Sequence, residues 1–279
     1  MGNMREEAIE EMMNDFYIPI KPKIIKQLQY LMANSESTIA DFGKTIYKDV
    51  ALSAEIIKTV NTAYFGCEKE ISDIQYAVCY MGKDFVNALA TSILFRRSYA
   101  GLKCCLTLNR FWDDAKDVGF VMSSLNKKIQ APISDGYLYT IGLFHDCGIP
   151  AFSNTFNDYK ETLIEANGEG CNSIELEQRK YSINHAEVGY YTAKSWNIPE
   201  EICNIILHHH DASFMANCKT AEEKLGYAFL KLAENFVYRN KRYCESPDWQ
   251  NISDEVLQVL DISADEYTDL EQYFSELIL

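Results

Sequence analysis

The spacing of the apolar residues is the feature that most constrains the fold of this chain. Over most of its length they recur at every third or fourth position, as in Leu52, Ile56 and Val60. This period is that of an amphipathic α-helix. Only six prolines and 13 glycines interrupt 279 residues. We therefore predict an all-α fold.

Capping signals mark several expected helix starts. Asp49 precedes one apolar stripe, Ser72 with Gln75 forms a capping box ahead of another, and Asn184 with Glu187 forms a second box. In such boxes a short polar side chain accepts a backbone N–H of the first turn, and the acid or amide three residues later bonds back. These positions predict where three of the helices begin.

The charge of the chain excludes some classes of partner. It carries 41 acidic residues against 26 basic ones, a net charge of −15, and residues 250–279 hold acids without a single base. Nucleic acids and anionic membranes are bound by clustered Lys and Arg, and only short patches such as Lys21, Lys23 and Lys26 occur here. We predict no binding to nucleic acid and no binding to a membrane.

The sequence also favours a cytoplasmic location. No apolar stretch approaches the roughly 18 residues of a spanning helix, and the first residues lack the apolar region of a signal peptide. The nine cysteines include no C-x-x-C pair, which fits a reducing compartment.

All five histidines fall between residues 145 and 210. They are His145 beside Asp146, then His185, then the run 208–210. Imidazole and carboxylate groups together are ligands for divalent metals. On the helix expected after Pro199, His209 shares the apolar face and should point inward. Spacing alone leaves two interpretations open, a metal site or buried histidines satisfied by hydrogen bonds.

Several motifs carry a family resemblance. Residues 143–148, Leu-Phe-His-Asp-Cys-Gly, resemble the GLLHDIG element of HD-superfamily metal-dependent phosphohydrolases. A wider pattern resembles the HDOD domain, an HD-related output domain of bacterial signalling proteins, and runs in one order from about residue 14 to 240. It comprises residues 17–19, 49–53, 60–66, 71–82, 184–189, 196–201 and 209–211.

The resemblance implies a single HDOD protein over residues 1–279. Its N-terminal helical lobe (14–100) would pack on a degenerate HD-like helical lobe (101–249). An acidic helical tail (250–279) would follow.

The resemblance also implies a set of metal ligands. Catalytic HD proteins use an H…HD…D set, and the HD pair is present as His145 and Asp146. The first histidine is replaced by Asp114 and the last aspartate by Glu234, both carboxylates. This set still suits a divalent ion, with Mn, Mg, Fe or Ni as candidates. No residue is assigned a catalytic role; His145 and Asp146 are the candidates.

Three further histidines match positions where HDOD domains and related HD-type phosphodiesterases carry histidine. They are His185, His209 and His210. A second metal position and a buried polar network remain equally open for them, and the seven residues of the two sets together form the predicted site.

The functional expectation is a regulatory module of bacterial signalling without catalysis, because HDOD domains are regarded as degenerate HD domains. It would bind a signalling partner protein or a small regulator through the surface between the lobes. The sequence identifies neither the partner nor the oligomeric state.

The alternative is a metal-dependent phosphohydrolase or phosphodiesterase acting on nucleotides or cyclic dinucleotides. Such an enzyme needs Lys or Arg near the metal to neutralise the substrate. The sequence has none between Lys128 and Lys160, and only Lys180, Lys194 and Arg179 flank His185. This favours the binding module.

Overall fold

The computed structural model describes residue 9 and residues 11–166 and 172–277. Every regular element in these ranges is helical, which confirms the all-α prediction. In the first half the helices are α1 (Lys23–Ala33), α2 (Ile39–Tyr47), α3 (Val50–Val60), α4 (Ile74–Met81), α5 (Lys83–Ser98) and α6 (Leu108–Ile129). The 3₁₀ turns Met13–Asp15 and Ala63–Phe65 accompany them.

The second half is built from shorter helices followed by one long one. They are α7 (Asp135–Phe144), α8 (Gly148–Thr155), α9 (Tyr159–Ala166), α10 (Ser173–Tyr181), α11 (His185–Ser195), α12 (Glu200–His208), α13 (Phe214–Asn217) and α14 (Ala221–Arg242). The acidic tail forms α15 (Trp249–Val259) and α16 (Ala264–Leu277).

Two of the three predicted helix starts are confirmed. Asp49 accepts the Leu52 N–H, and Asn184 forms the expected reciprocal box with Glu187. The box predicted at Ser72 is wrong, since Asp73 is the cap of α4 and accepts the Tyr76 N–H. Two neighbouring residues of the cap-forming type compete here, and the carboxylate one residue closer to the helix takes the role.

The larger of two hydrophobic clusters in the described residues crosses the predicted lobe boundary. The Phe95 ring on α5 lies 5.8 Å from Trp112, 4.9 Å from Phe144 and 5.1 Å from Trp196, centroid to centroid. The buried Trp196 indole also donates to the Pro19 carbonyl oxygen at 2.9 Å. The N-terminal helices therefore bury their apolar faces directly against the half of the chain that carries the histidines.

The core continues into the tail. Trp249, Ile252 and Phe274 belong to the same buried cluster. The boundary predicted between residues 249 and 250 falls inside α15. Within the described ranges, none of the helices combines the length and apolar composition that a bilayer span requires.

A close backbone contact brings α8 against α11. A Cβ atom added at Gly148 would lie 2.0 Å from the His185 carbonyl oxygen, a distance that only a glycine tolerates. Gly189 faces the same contact, but there the nearest atom is a side-chain methyl of Ile206 at 3.0 Å. This approach sets the distance between the segment after Asp146 and the start of α11.

We expect Gly148→Ala to destabilise the protein by about 2 kcal/mol or more, because the new methyl group forces two backbones apart. Gly189→Ala is the matched control and should cost less, since a side chain can shift where a backbone cannot. Denaturant unfolding of the two variants measures both losses. Equal losses would show that the backbone contact does not limit the packing of α8 on α11.

Candidate metal centre

Three helix ends meet at one point of the HD-like half. His145 caps the C-terminus of α7 and is followed by Asp146. His185 is the first residue of α11, and His209 caps the C-terminus of α12 and is followed by His210. Side chains at helix ends can converge from several directions, so these segments bring together residues that are far apart in sequence.

Four of these side chains present their ligand atoms to one another. The Oδ1 atom of Asp146 lies 3.4 Å from His185 Nε2 and 3.2 Å from His209 Nε2. The Nε2 atom of His185 lies 3.4 Å from that of His209 and 3.2 Å from that of His210. All four ligand atoms lie within 4.8 Å of one another. We call Asp146, His185, His209 and His210 the four-ligand cluster.

His145 and Glu234 adjoin this cluster on its other side. The Nε2 atom of His145 lies 3.3 Å from Asp146 Oδ2 and 3.5 Å from Glu234 Oε1. The two carboxylate oxygens of Asp146 therefore face different groups of histidines. In this geometry Asp146 links His145 to His185 and His209.

Hydrogen bonds at the Nδ1 atoms determine whether each Nε2 atom presents a lone pair to the cluster. His185 Nδ1 lies 2.8 Å from Glu177 Oε2, and His209 Nδ1 lies 2.7 Å from the Ile206 carbonyl oxygen. A carbonyl or ionised carboxylate oxygen can only accept, so each Nδ1 carries the hydrogen. In the neutral rings both Nε2 lone pairs then point at one another. Such lone pairs repel unless a proton or a metal ion lies between them.

Glu177 is a member of the site that the sequence interpretation missed. Its carboxylate is fully buried and accepts from Tyr159 Oη at 2.7 Å and from the His185 backbone N–H at 2.7 Å. Burial raises the pKa of this carboxyl, but His185 and the hydrogen bonds outweigh that effect and lower it. The signal was weak, since Glu177 lies eight residues before His185 in a segment without a recognised motif.

Without a metal, protons on His145 and His185 balance the negative charge of the nearby carboxylates. Burial lowers the pKa of His145, but the charge of Asp146 and of Glu234 outweighs it and raises the pKa to about 9. Burial likewise opposes the charge of His185, yet Glu177 and Asp146 raise its pKa to about 10. Two imidazolium groups carry the same charge as one divalent cation.

At neutral pH Asp146 is ionised, and His209 and His210 are uncharged. Burial disfavours the Asp146 carboxylate, but the histidines around it hold its pKa well below the usual range. Burial lowers the pKa of His209 and of His210. Both of these rings are neutral and offer a lone pair.

A buried lysine also lies beside the cluster. Lys231 on α14 is 2% exposed, and its Nζ atom lies 2.9 Å from Glu234 Oε2 and 3.3 Å from Asp248 Oδ2. Lys231 is distant from His145 and His185 along the chain, so the sequence neighbours of these histidines did not predict it. The available signal was a lysine on the buried side of a long helix, three residues before Glu234.

The structure does not bring Asp114 into this group. Its Oδ1 atom lies 2.6 Å from Lys241 Nζ, which also pairs with Asp117 at 2.6 Å. Lys241 follows Glu234 by seven residues on α14, about 10 Å along the helix axis. The structure thus gathers His145, Asp146, His185, His209, His210 and Glu234, and places Asp114 in a separate ion pair.

The free energy of unfolding of the metal-free protein should decrease as the pH is raised from 7 to 10. The folded-state pKa values of His145 and His185 lie above 6.5, so their stabilisation is complete below that pH and is lost as the pH rises through about 9 and 10. Each group contributes a slope of about 1.4 kcal/mol per pH unit. Denaturant unfolding in the presence of a chelator measures this.

His145→Gln should make this slope shallower, because one of the two titrating groups is gone. Asp114→Asn is the control and should leave the slope of the parent protein. Identical slopes in the parent and His145→Gln would contradict the charge assignment.

The family model of the HDOD domain matches residues 18–212. An uncharacterized protein of Treponema pallidum (strain Nichols) is 29% identical over 197 residues, 70% of this chain. The match covers 38% of that relative, so the chain spans less than half of its length.

Solved structures show the same fold at low sequence identity. An HDOD domain protein of unknown function from Geobacter sulfurreducens superposes with a TM-score of 0.73 at 19% identity, over 99% of both chains. A Shewanella amazonensis SB2B protein, provisionally named a metal-dependent phosphohydrolase, gives 0.63 at 18% identity over all of both chains. A Marinobacter aquaeolei VT8 protein, provisionally named for signal transduction, gives 0.70 at 17% identity over 98% of this chain and 58% of its own.

The HDOD match includes the HD pair, His185 and the two cluster histidines that follow α12, and it covers well over half of the chain. The family expected from the motifs is therefore confirmed, and this chain belongs to the HDOD family.

Proposed function

We propose that this protein is a regulatory module of bacterial signalling that holds one divalent metal ion in the four-ligand cluster. It acts without catalysis, by binding a partner protein or a small regulator. The observation that carries the metal assignment is the convergence of the Nε2 atoms of His185, His209 and His210 on Asp146 Oδ1. The tautomers of His185 and His209 are set by the hydrogen bonds of their Nδ1 atoms.

Four of the six distances between the ligand atoms fit a bound ion, and the other two lie within 4.8 Å. Metal–nitrogen bonds of about 2.0–2.1 Å in a tetrahedral arrangement place neighbouring ligand atoms about 3.3–3.4 Å apart. The contacts from Asp146 to His185 and His209, and from His185 to His209 and His210, are 3.2–3.4 Å. Imidazole-rich ligation favours Mn, Fe or Ni over Mg, which prefers oxygen ligands. A bound ion would supply Lewis acidity there.

The charges around the cluster support binding rather than turnover. Lys231 is a buried cation beside the cluster, and Glu234 and Asp248 already neutralise it inside the protein. Lys180, which the sequence placed near His185, pairs with Asp158 at 2.9 Å. A phosphoryl substrate would have to compete with these carboxylates for either lysine.

Elemental mass spectrometry of protein reconstituted with Mn should find about one equivalent of metal per chain. Asp146→Ala should lose it, because that carboxylate faces both groups of histidines. Asp114→Asn should retain it, because Asp114 pairs with Lys241 outside the cluster. A metal content near zero in the parent protein would refute the proposed site.

The alternative, a metal-dependent phosphohydrolase, is favoured by one observation. The HD pair is intact, and His145 Nε2 faces the Asp146 oxygen that the three later histidines leave free. We expect the Mn-loaded protein to hydrolyse neither bis(p-nitrophenyl) phosphate nor a panel of nucleotides and cyclic dinucleotides. Turnover that disappears in Asp146→Ala would replace the binding module with the enzyme.

A further inference from the structure

One cluster histidine is oriented from a part of the chain beyond the HDOD match. The Nδ1 atoms of His145, His185 and His209 face Gly142, Glu177 and Ile206, all within residues 18–212. The Nδ1 atom of His210 instead lies 3.6 Å from Asp248 Oδ2, just before α15. Glu177 faces the Nδ1 atom of His185 in a similar way, at the shorter distance of 2.8 Å.

The position of Asp248 is itself held by the core. Lys231 lies 3.3 Å from the carboxylate on one side. On the other side Trp249 is 4% exposed and stacks on Tyr267 of α16 with 5.8 Å between ring centroids. The carboxylate can therefore act as a fixed acceptor for the His210 ring.

A role of this carboxylate as a helix cap is not what the structure shows. Asp248 stands at the N-cap position of α15, yet its side chain accepts no hydrogen bond from the first turn of that helix. Its contacts are with His210 and Lys231, so its orientation is towards the cluster.

We infer that Asp248 is a positioning residue for the metal centre. Its carboxylate holds the hydrogen on His210 Nδ1 and turns Nε2 towards the ion, and Lys231 keeps Asp248 in place. A carboxylate behind a ligating histidine strengthens metal binding, and its loss typically weakens affinity by about 10- to 100-fold. This inference rests on the proposed function and adds the C-terminal helices to the site.

The test is Asp248→Asn, which keeps the size of the side chain and removes its charge. The dissociation constant for Mn, measured by competition with a chelator, should rise about 10- to 100-fold. Glu245→Gln is the matched control, because Glu245 lies in the same loop and pairs with Arg239 at 3.1 Å. The control should keep the affinity of the parent protein.

A second readout separates positioning from general stability. In metal-free protein with ¹⁵N-labelled histidine, the His210 ring should be the Nδ1–H tautomer in the parent and shift towards Nε2–H in Asp248→Asn. Asp248→Ser, a residue favoured at helix N-caps, should give the same shift and serves if the Asn variant does not fold.

The outcomes distinguish this inference from the proposed function. If the parent binds one ion and Asp248→Asn binds it equally tightly, the positioning role is overturned and the metal site stands. If the parent binds no ion, the proposed function fails. In that case an unchanged His210 tautomer in both variants also overturns the positioning role.

Discussion

The candidate site depends on the carboxylate of Asp146, which faces two groups of histidines at once. One oxygen faces His145, and the other faces His185 and His209. Even partial burial of an ionised carboxylate is unfavourable unless positive charge and hydrogen bonds accompany it. The surrounding helix ends provide both, and the resulting charge balance holds α7, α11 and α12 in their relative positions.

Much of the fold follows from local rules that a sequence displays. Apolar periodicity predicted the helices, and the caps at Asp49 and Asn184 were correct because their hydrogen bonds close within one turn. The inward direction of His209 followed from its place on an apolar helical face, and the ring is indeed fully buried. Each of these predictions depends on residues within about two turns of one another.

The parts that could not be predicted depend on contacts between distant helices. Glu177 and Lys231 carry no local motif, and their roles appear only when α10 and α14 pack beside the histidines. Asp114 aligned with a ligand position of the HD motif, yet a lysine two turns beyond Glu234 is the partner that the packing gives it. A motif specifies residue types in order, whereas charge pairing is decided by which side chains come within a few ångströms.

The edge-to-face packing of Phe95 against Trp196 has a consequence for how the two halves of the chain can move relative to each other. These rings come from opposite halves of the chain and are both fully buried. The Trp196 indole also donates a hydrogen bond to the backbone of the N-terminal segment. Close-packed interiors do not deform continuously and respond by moving between discrete arrangements. An event at one half would therefore reach the other as a rigid displacement of packed helices, without a hinge between them.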